Sequence, residues 1–120
     1  MSRGQAAERR LEIHEPPKPP KHLSAEAREW WCHVVQEYQL EEHHLKLLRL
    51  AAEAWDRAQQ ARVALAKYGM TYTDRFGAPH PRPEIAVERD SRVGFARVVR
   101  ELGFDVSNPE SRPPRRDRRY

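Results

Sequence analysis

Six histidines and one cysteine are the residues best suited to chemistry in this 120-residue chain, but their spacing does not build a recognisable site. His43 and His44 are adjacent, so on a helix their side chains diverge by about 100° and do not share one ion. Cys32 has no second cysteine with which to form a zinc-binding pair or an internal disulfide. The sequence therefore predicts no enzyme, no metal and no cofactor. A nucleophilic pair of Cys32 with a histidine stays open, although no flanking signature supports it.

Positive charge is the stronger chemical signal, and it lies at the two ends of the chain. The net charge is +4, while residues 23–104 carry equal numbers of acidic and basic side chains. Arginine binds phosphate through its charge and its fork of donors, so the ends predict contacts with nucleic acid or with an acidic protein surface. The alternative is a solubilising tail. The candidate DNA-binding residues at the ends are Lys18, Lys21, Arg112, Arg115, Arg116, Arg118 and Arg119.

A second group of arginines lies on one side of the last predicted helix. At the helical period these side chains fall within about 140° of arc. Glu84, Asp90 and Glu101 are spaced to pair with some of them, so a solvated, neutralised face is the favoured alternative to DNA binding. The group comprises Arg89, Arg92, Arg97 and Arg100.

Three helices must position these residues, and the sequence predicts them over about 24–38, 41–67 and 84–102. Ser24 is suited to cap the first helix, and Gly69 and Gly103 follow the other two. The alanine-rich second helix is expected to pack against more than one neighbour. We expect its Leu47, Leu48, Trp55 and Leu65 to be buried, either within the subunit or at an oligomer interface.

A short β-hairpin is predicted between the second and third helices, at residues 70–83. Met70 to Thr73 alternates apolar and polar residues, turn-forming residues follow, and three prolines exclude the centre of a larger sheet. The hairpin is interpreted first as a connector that returns the third helix to the bundle, and its exposed tip is available to a neighbour. A dedicated binding loop is the alternative.

The predicted organisation is one mainly α domain between two tails. Residues 1–22 form a disordered basic, proline-rich arm, residues 23–104 a helical oligomerisation core, and residues 105–120 a mobile arginine-rich tail. No apolar run approaches the length of a membrane span, and the N-terminus lacks a secretory signal. A soluble cytoplasmic protein with no membrane partner is expected.

The order of these features resembles the small terminase subunit of tailed double-stranded DNA bacteriophages, of the short class. The resemblance covers about residues 19–112. It is carried by "PPKHLSAEAREWW", by the long helix around "LLRLAAEAWDRAQQA", by the hairpin "KYGMTYTDRFGAPHPRP" and by the closing "FARVVRELGFDVSNPESR".

This resemblance implies a non-catalytic component of a viral genome-packaging motor. Such a subunit forms a homo-oligomeric ring, binds viral double-stranded DNA and presents it to a large subunit with ATPase and nuclease activity. It implies action in the host cytoplasm during infection and absence from the mature virion.

Three other classes stay open on the residues alone. The first two helices suit a small helix-turn-helix transcriptional regulator, although the acidic start of the second helix, at Glu41 and Glu42, opposes phosphate binding there. A virion head or tail adaptor is the structural alternative. A metal-dependent nuclease is the enzymatic one, and it lacks a ligand set.

Overall fold

The computed structural model describes residues 15–104 and 113–117. Within them, three helices and one hairpin follow each other along the chain. The helices are α1 (Ala25–Glu37), α2 (Glu42–Tyr68) and α3 (Pro83–Leu102), and the strands are β1 (Thr71–Thr73) and β2 (Pro79–Pro81). The predicted mainly α fold with a hairpin between the second and third helices is confirmed.

The start of α1 is tied directly to α2. Ser24 caps the helix, because its hydroxyl oxygen accepts from the Ala27 N–H at 3.1 Å. The Ser24 N–H and hydroxyl in turn donate to the two carboxylate oxygens of Asp56, at 2.8 and 2.5 Å. One residue therefore both begins α1 and fixes its position along α2.

Helices α2 and α3 run antiparallel with a regular register. Leu48 and Leu102 belong to one buried cluster. One heptad further along each helix, the rings of Trp55 and Phe95 lie 5.3 Å apart. After another heptad, the Arg62 guanidinium lies 3.5 Å from the Glu88 carboxylate. Contacts that recur every seven residues on both helices are typical of coiled-coil packing.

The core lies at the end of this helix pair where α1 packs. Its buried side chains come from all three helices, and Leu48 and Leu102 are completely inaccessible to solvent. Towards the hairpin, the buried residues of α2 are small, Ala58 and Ala61. Small side chains let two helix backbones approach closely. As expected, α2 packs against both α1 and α3. The cluster comprises Trp31, Val34, Val35, Leu48 and Leu102.

The β-hairpin turns the chain through a tight, well-bonded loop. Its strands pair Thr71 with Pro81, Tyr72 with His80 and Thr73 with Pro79. Proline lacks an N–H, so both prolines suit a two-stranded ribbon in which one side of each strand has no partner. Gly77 has φ of 82°, a left-handed value that favours glycine, and its N–H bonds the Asp74 carbonyl at 3.0 Å.

Part of the C-terminal segment has a defined place against α1. Pro113 is buried, the Gln39 N–H donates to the Pro114 carbonyl at 2.8 Å, and the Arg116 N–H donates to the Glu37 carbonyl at 2.6 Å. Tyr38 and Arg115 form an antiparallel bridge. Residues 113–117 are thus paired with the α1–α2 connection. The other residues of the predicted mobile tail, 105–112 and 118–120, lie outside the described residues, as do residues 1–14 of the predicted disordered arm 1–22.

The buried position of Leu48 generates a stability prediction. We expect Leu48→Ala to lower the free energy of unfolding by about 2–5 kcal/mol, because it removes apolar contacts and leaves a cavity in the core. The measurement is urea unfolding followed by tryptophan fluorescence at a fixed protein concentration.

Leu50→Ala is the matched control, because Leu50 lies on the same helix but is 55% exposed. It should change the unfolding free energy by no more than about 0.5 kcal/mol, the range usual for surface substitutions. Equal losses in the two variants would contradict the core assignment.

Candidate nucleic-acid interface

The four arginines of α3 are all exposed, but they differ in their partners. Arg89 lies 3.3 Å from the Asp90 carboxylate, and Arg92 lies 3.3 Å from Glu88. Within the described residues, no carboxylate pairs with Arg97 or Arg100. Two of the four cations are therefore partly neutralised, and the two nearest the C-terminal end of the helix are not.

The acidic residues that do this pairing are only partly the predicted ones. Asp90 was expected to pair and does so. Glu84 instead lies 3.3 Å from Arg82, at the start of α3. Glu88 lies between two cations, 3.5 Å from Arg62 of α2 and 3.3 Å from Arg92. Sequence spacing did not identify this bridge, because one of its partners comes from another helix.

A shallow concave surface lies within the arginine face. Its cavity of 370 Å³ is lined by Arg89, Asp90, Val93, Gly94 and Arg97. Gly94 carries no side chain, and a Cβ atom built there would meet nothing within 4 Å. A polyanion backbone could therefore approach α3 closely between the guanidinium groups of Arg89 and Arg97.

The predicted basic residues of the N-terminal arm lie beside α1. Lys18 and Lys21 are exposed, and no ion pair joins either of them to another described residue. The Trp31 indole N–H donates to the Pro17 carbonyl at 2.9 Å, which holds this part of the arm against α1. The backbone that carries both lysines therefore has a defined position beside α1.

The arginines of the C-terminal tail divide into two kinds. The Arg116 side chain is half-buried, and its Nε donates to the Val35 carbonyl at the end of α1. A cation there suits the negative end of the helix dipole. Arg115 is exposed beside it. Arg112, Arg118 and Arg119 lie outside the described residues, and all five assignments as DNA contacts stay predictions.

The four predicted interface residues occupy different surroundings. Leu48 is wholly buried inside the chain, and Leu47 packs partly buried against the same cluster. Trp55 and Leu65 are half-buried. Leu48 thus follows the first of the two expectations, burial within the subunit, while the role of the other three in an oligomer stays a prediction.

The largest exposed apolar side chains lie mainly at the far end of α2 and on the hairpin. Phe76 is 81% exposed and Met70 68% exposed. Tyr68 and Tyr72 are exposed as well. The alternation of apolar residues in the hairpin is visible in the sequence. It does not show which of these side chains remain exposed to solvent in the folded protein.

The Asp74 carboxylate organises the hairpin turn. It accepts hydrogen bonds from the N–H groups of Phe76 and Ala78, at 2.8 and 2.9 Å, and lies 2.8 Å from His80 Nε2. The contact with His80, followed by the bond from Ala78, lowers the pKa of Asp74. The turn is therefore stabilised by the ionised carboxylate.

A metal centre and a membrane helix find no support in the part of the chain that the structure covers. Among residues 15–104 and 113–117, no three His, Cys, Asp or Glu side chains come together in a way that could hold a metal ion. None of the helices described there is long and apolar enough to cross a bilayer.

A surface helix with four exposed arginines, two of them paired, lies in a small three-helix unit. Comparison with known families identifies the class of this protein. The family model described as phage terminase, small subunit, matches residues 27–112. The chain therefore belongs to the phage terminase small subunit family, as the resemblance implied. Comparison with curated proteins and with solved structures returns no match.

Arg115 and Arg116 generate a paired prediction. Arg116→Ala should lower the free energy of unfolding by about 1.5 kcal/mol, the value typical of a lost hydrogen bond from a charged donor. Arg115→Ala should leave it within about 0.5 kcal/mol, because this exposed side chain donates no such bond to the described residues. Thermal and urea unfolding of the two variants provide the measurement. Equal losses of stability would contradict the assignment of a structural role to Arg116 and not to Arg115.

The lowered pKa of Asp74 generates a pH prediction. Because the folded state favours the ionised carboxylate, its contribution to the hairpin is present at neutral pH and is lost as the pH falls through the lowered pKa. In NMR spectra, the amide signals of Phe76 and Ala78 should shift together, with a midpoint below the ordinary value for aspartate.

Asp74→Asn is the control for this titration. The variant has no carboxylate at this position, so the shared transition of the two amide signals should disappear. A midpoint at or above the ordinary aspartate value in the unaltered protein would contradict the assignment.

Proposed function

We propose that this terminase small subunit is a non-catalytic component of the genome-packaging motor. In this role it binds viral double-stranded DNA, assembles into a homo-oligomeric ring and presents the DNA to the large subunit, which carries the ATPase and nuclease activities. It acts in the host cytoplasm during infection and is not retained in the mature virion. Membership of the family supports this role over a transcriptional regulator, a virion adaptor or a nuclease.

The main support for DNA binding comes from two cations on α3 that have no carboxylate partner in the described chain. Arg97 and Arg100 are exposed on one helix, and no carboxylate of the described chain neutralises them. A paired arginine must lose its partner before it can contact a phosphate, whereas an unpaired one displaces only water and counterions. These two residues should therefore contribute more to DNA affinity than Arg89 and Arg92.

Repetition around a ring would strengthen these contacts. Each exposed pair contributes little alone, but copies held on one assembly bind with a raised effective concentration. Lys18, Lys21 and the terminal arginines would extend the contact around the same DNA. The large subunit could use the tail residues that DNA does not occupy.

The test compares two double variants on the same helix. The logarithm of DNA affinity should fall with the logarithm of salt concentration, with a slope of about −0.9 for each phosphate neutralised on duplex DNA. Arg97→Ala with Arg100→Ala should reduce this slope by about 1 to 2 for each chain that contacts DNA. Arg89→Ala with Arg92→Ala is the matched control with the same loss of charge, and it should reduce the slope less.

Removing residues 112–120 tests the tail separately, in a variant that keeps α3 intact. A flatter slope would assign the tail to DNA, and an unchanged slope would leave it to the large subunit. If neither double variant nor the truncation alters DNA binding, or if the protein binds no DNA at all, the proposed function is wrong.

A further inference from the structure

An apolar cavity lies where the three helices meet, and nothing in the described chain fills it. The cavity measures 330 Å³ and is lined by Glu26, Ala27, Trp30, Trp55 and Phe95, which we call the aromatic groove. The Phe95 ring contacts both indoles, with centroid distances of 5.5 Å to Trp30 and 5.3 Å to Trp55. A site of this size and composition can accept an aromatic side chain.

Glu26 is the charged residue of the aromatic groove. It lies in the first turn of α1 and is exposed. No cation among the described residues pairs with it, in contrast to Glu53 and Glu88, which lie near arginines. The groove therefore offers apolar rings beside one available carboxylate, which suits a ligand that combines an aromatic ring with a positive charge.

The hairpin presents such a combination at its turn. Arg75 and Phe76, which we call the hairpin tip, form a stacked pair with the guanidinium carbon 4.7 Å from the ring centroid. Phe76 is 81% exposed, the highest exposure among the large hydrophobic residues of the described chain. The bonds to Asp74 hold the turn in place, so the tip is presented in a pre-organised form.

The hairpin tip of one chain does not reach the aromatic groove of the same chain. From Trp55, α2 continues to Tyr68 before the hairpin begins, a distance of about 20 Å at 1.5 Å per residue. The bond from the Arg82 N–H to the Met70 carbonyl, 2.9 Å, closes the base of the hairpin directly after the end of α2. With the hairpin in this position, a contact between the two surfaces joins different copies.

We propose that the hairpin tip of one copy inserts Phe76 into the aromatic groove of the next copy, where Arg75 pairs with Glu26. The proposal rests on the self-association in the proposed function and adds the surfaces that carry it. The contact is heterologous, because different surfaces meet, and heterologous contacts close into a ring when the rotation between copies permits. One aromatic anchor buries about 150–250 Å², so it is a central contact within a larger interface.

DNA is a weaker candidate for the hairpin tip. The other charged groups of the hairpin are paired, His80 with Asp74 and Arg82 with Glu84. Arg75 is thus the one hairpin cation without a carboxylate partner in the described chain. Met70 and Tyr72, closer to the base of the hairpin, are apolar and exposed, and exposed apolar surface is typical of a protein contact.

The test is a charge exchange between the hairpin tip and the aromatic groove. Arg75→Glu and Glu26→Arg each place like charges at every contact, so each should weaken assembly by about tenfold or more. The double variant restores opposite charges and should recover the wild-type mass. An equal mixture of the two single variants should assemble better than either variant alone, because the tip and the groove have opposite charges wherever two different chains are neighbours. Mass photometry and sedimentation velocity provide the measurement.

Two controls make the same changes of charge away from the aromatic groove and the hairpin tip. Glu29→Arg lies on α1 but does not line the groove, and Arg57→Glu lies on α2 away from the tip; both should keep the wild-type mass. Phe76→Ala should weaken assembly while leaving the helix content and the melting of the monomer unchanged, because the side chain is exposed.

The outcomes separate this inference from the proposed function. If the wild-type protein is oligomeric and the exchange variants keep its mass, the contact is wrong and the proposed function stands. A wild-type monomer at all concentrations overturns both the contact and the proposed ring. If Arg75→Glu weakens DNA binding without altering the mass, the tip contacts DNA and the inference is overturned.

Discussion

The antiparallel contact between α2 and α3 determines where every other feature of this protein lies. Its heptad register joins Leu48 with Leu102 in the core, Trp55 with Phe95 at the groove, and Arg62 with Glu88 near the hairpin. Large apolar side chains fill one end of the pair, where α1 packs, and small ones allow close approach towards the other. A protein of this size has a small core, and concentrating it at one end leaves the rest of the helix pair available as surface.

Arginine serves two different purposes in this small structure. Some guanidinium groups join elements together: Arg62 bridges to α3, and Arg116 bonds a carbonyl at the end of α1. Others, such as Arg97, are exposed without a carboxylate partner in the described chain. Composition cannot separate the two kinds, since both have the same charge. The separation depends on whether folding brings an acceptor within hydrogen-bond distance, and it decides which cations remain for a polyanion.

The hairpin has features that a connection between two helices does not require. A connector would need only to reverse the chain, whereas this turn is held by three contacts to one carboxylate and presents an exposed phenylalanine under an arginine. This arrangement is what motivates its assignment to a contact between copies, beside the return of α3 to the bundle, which it also performs.

The sequence by itself determined the helices, the hairpin and the family, because these depend on local periodicity, capping residues and residue order. Ser24, Gly69 and Gly103 mark helix ends by their own chemistry, and the observed bounds differ from the predicted ones by one residue at most. Only the tertiary structure decided that Leu48 is internal, that Glu88 bridges two helices and that Arg116 caps α1. It alone brought Trp30, Trp55 and Phe95 together, because they come from three helices and no local pattern encodes a contact between residues so far apart in the chain.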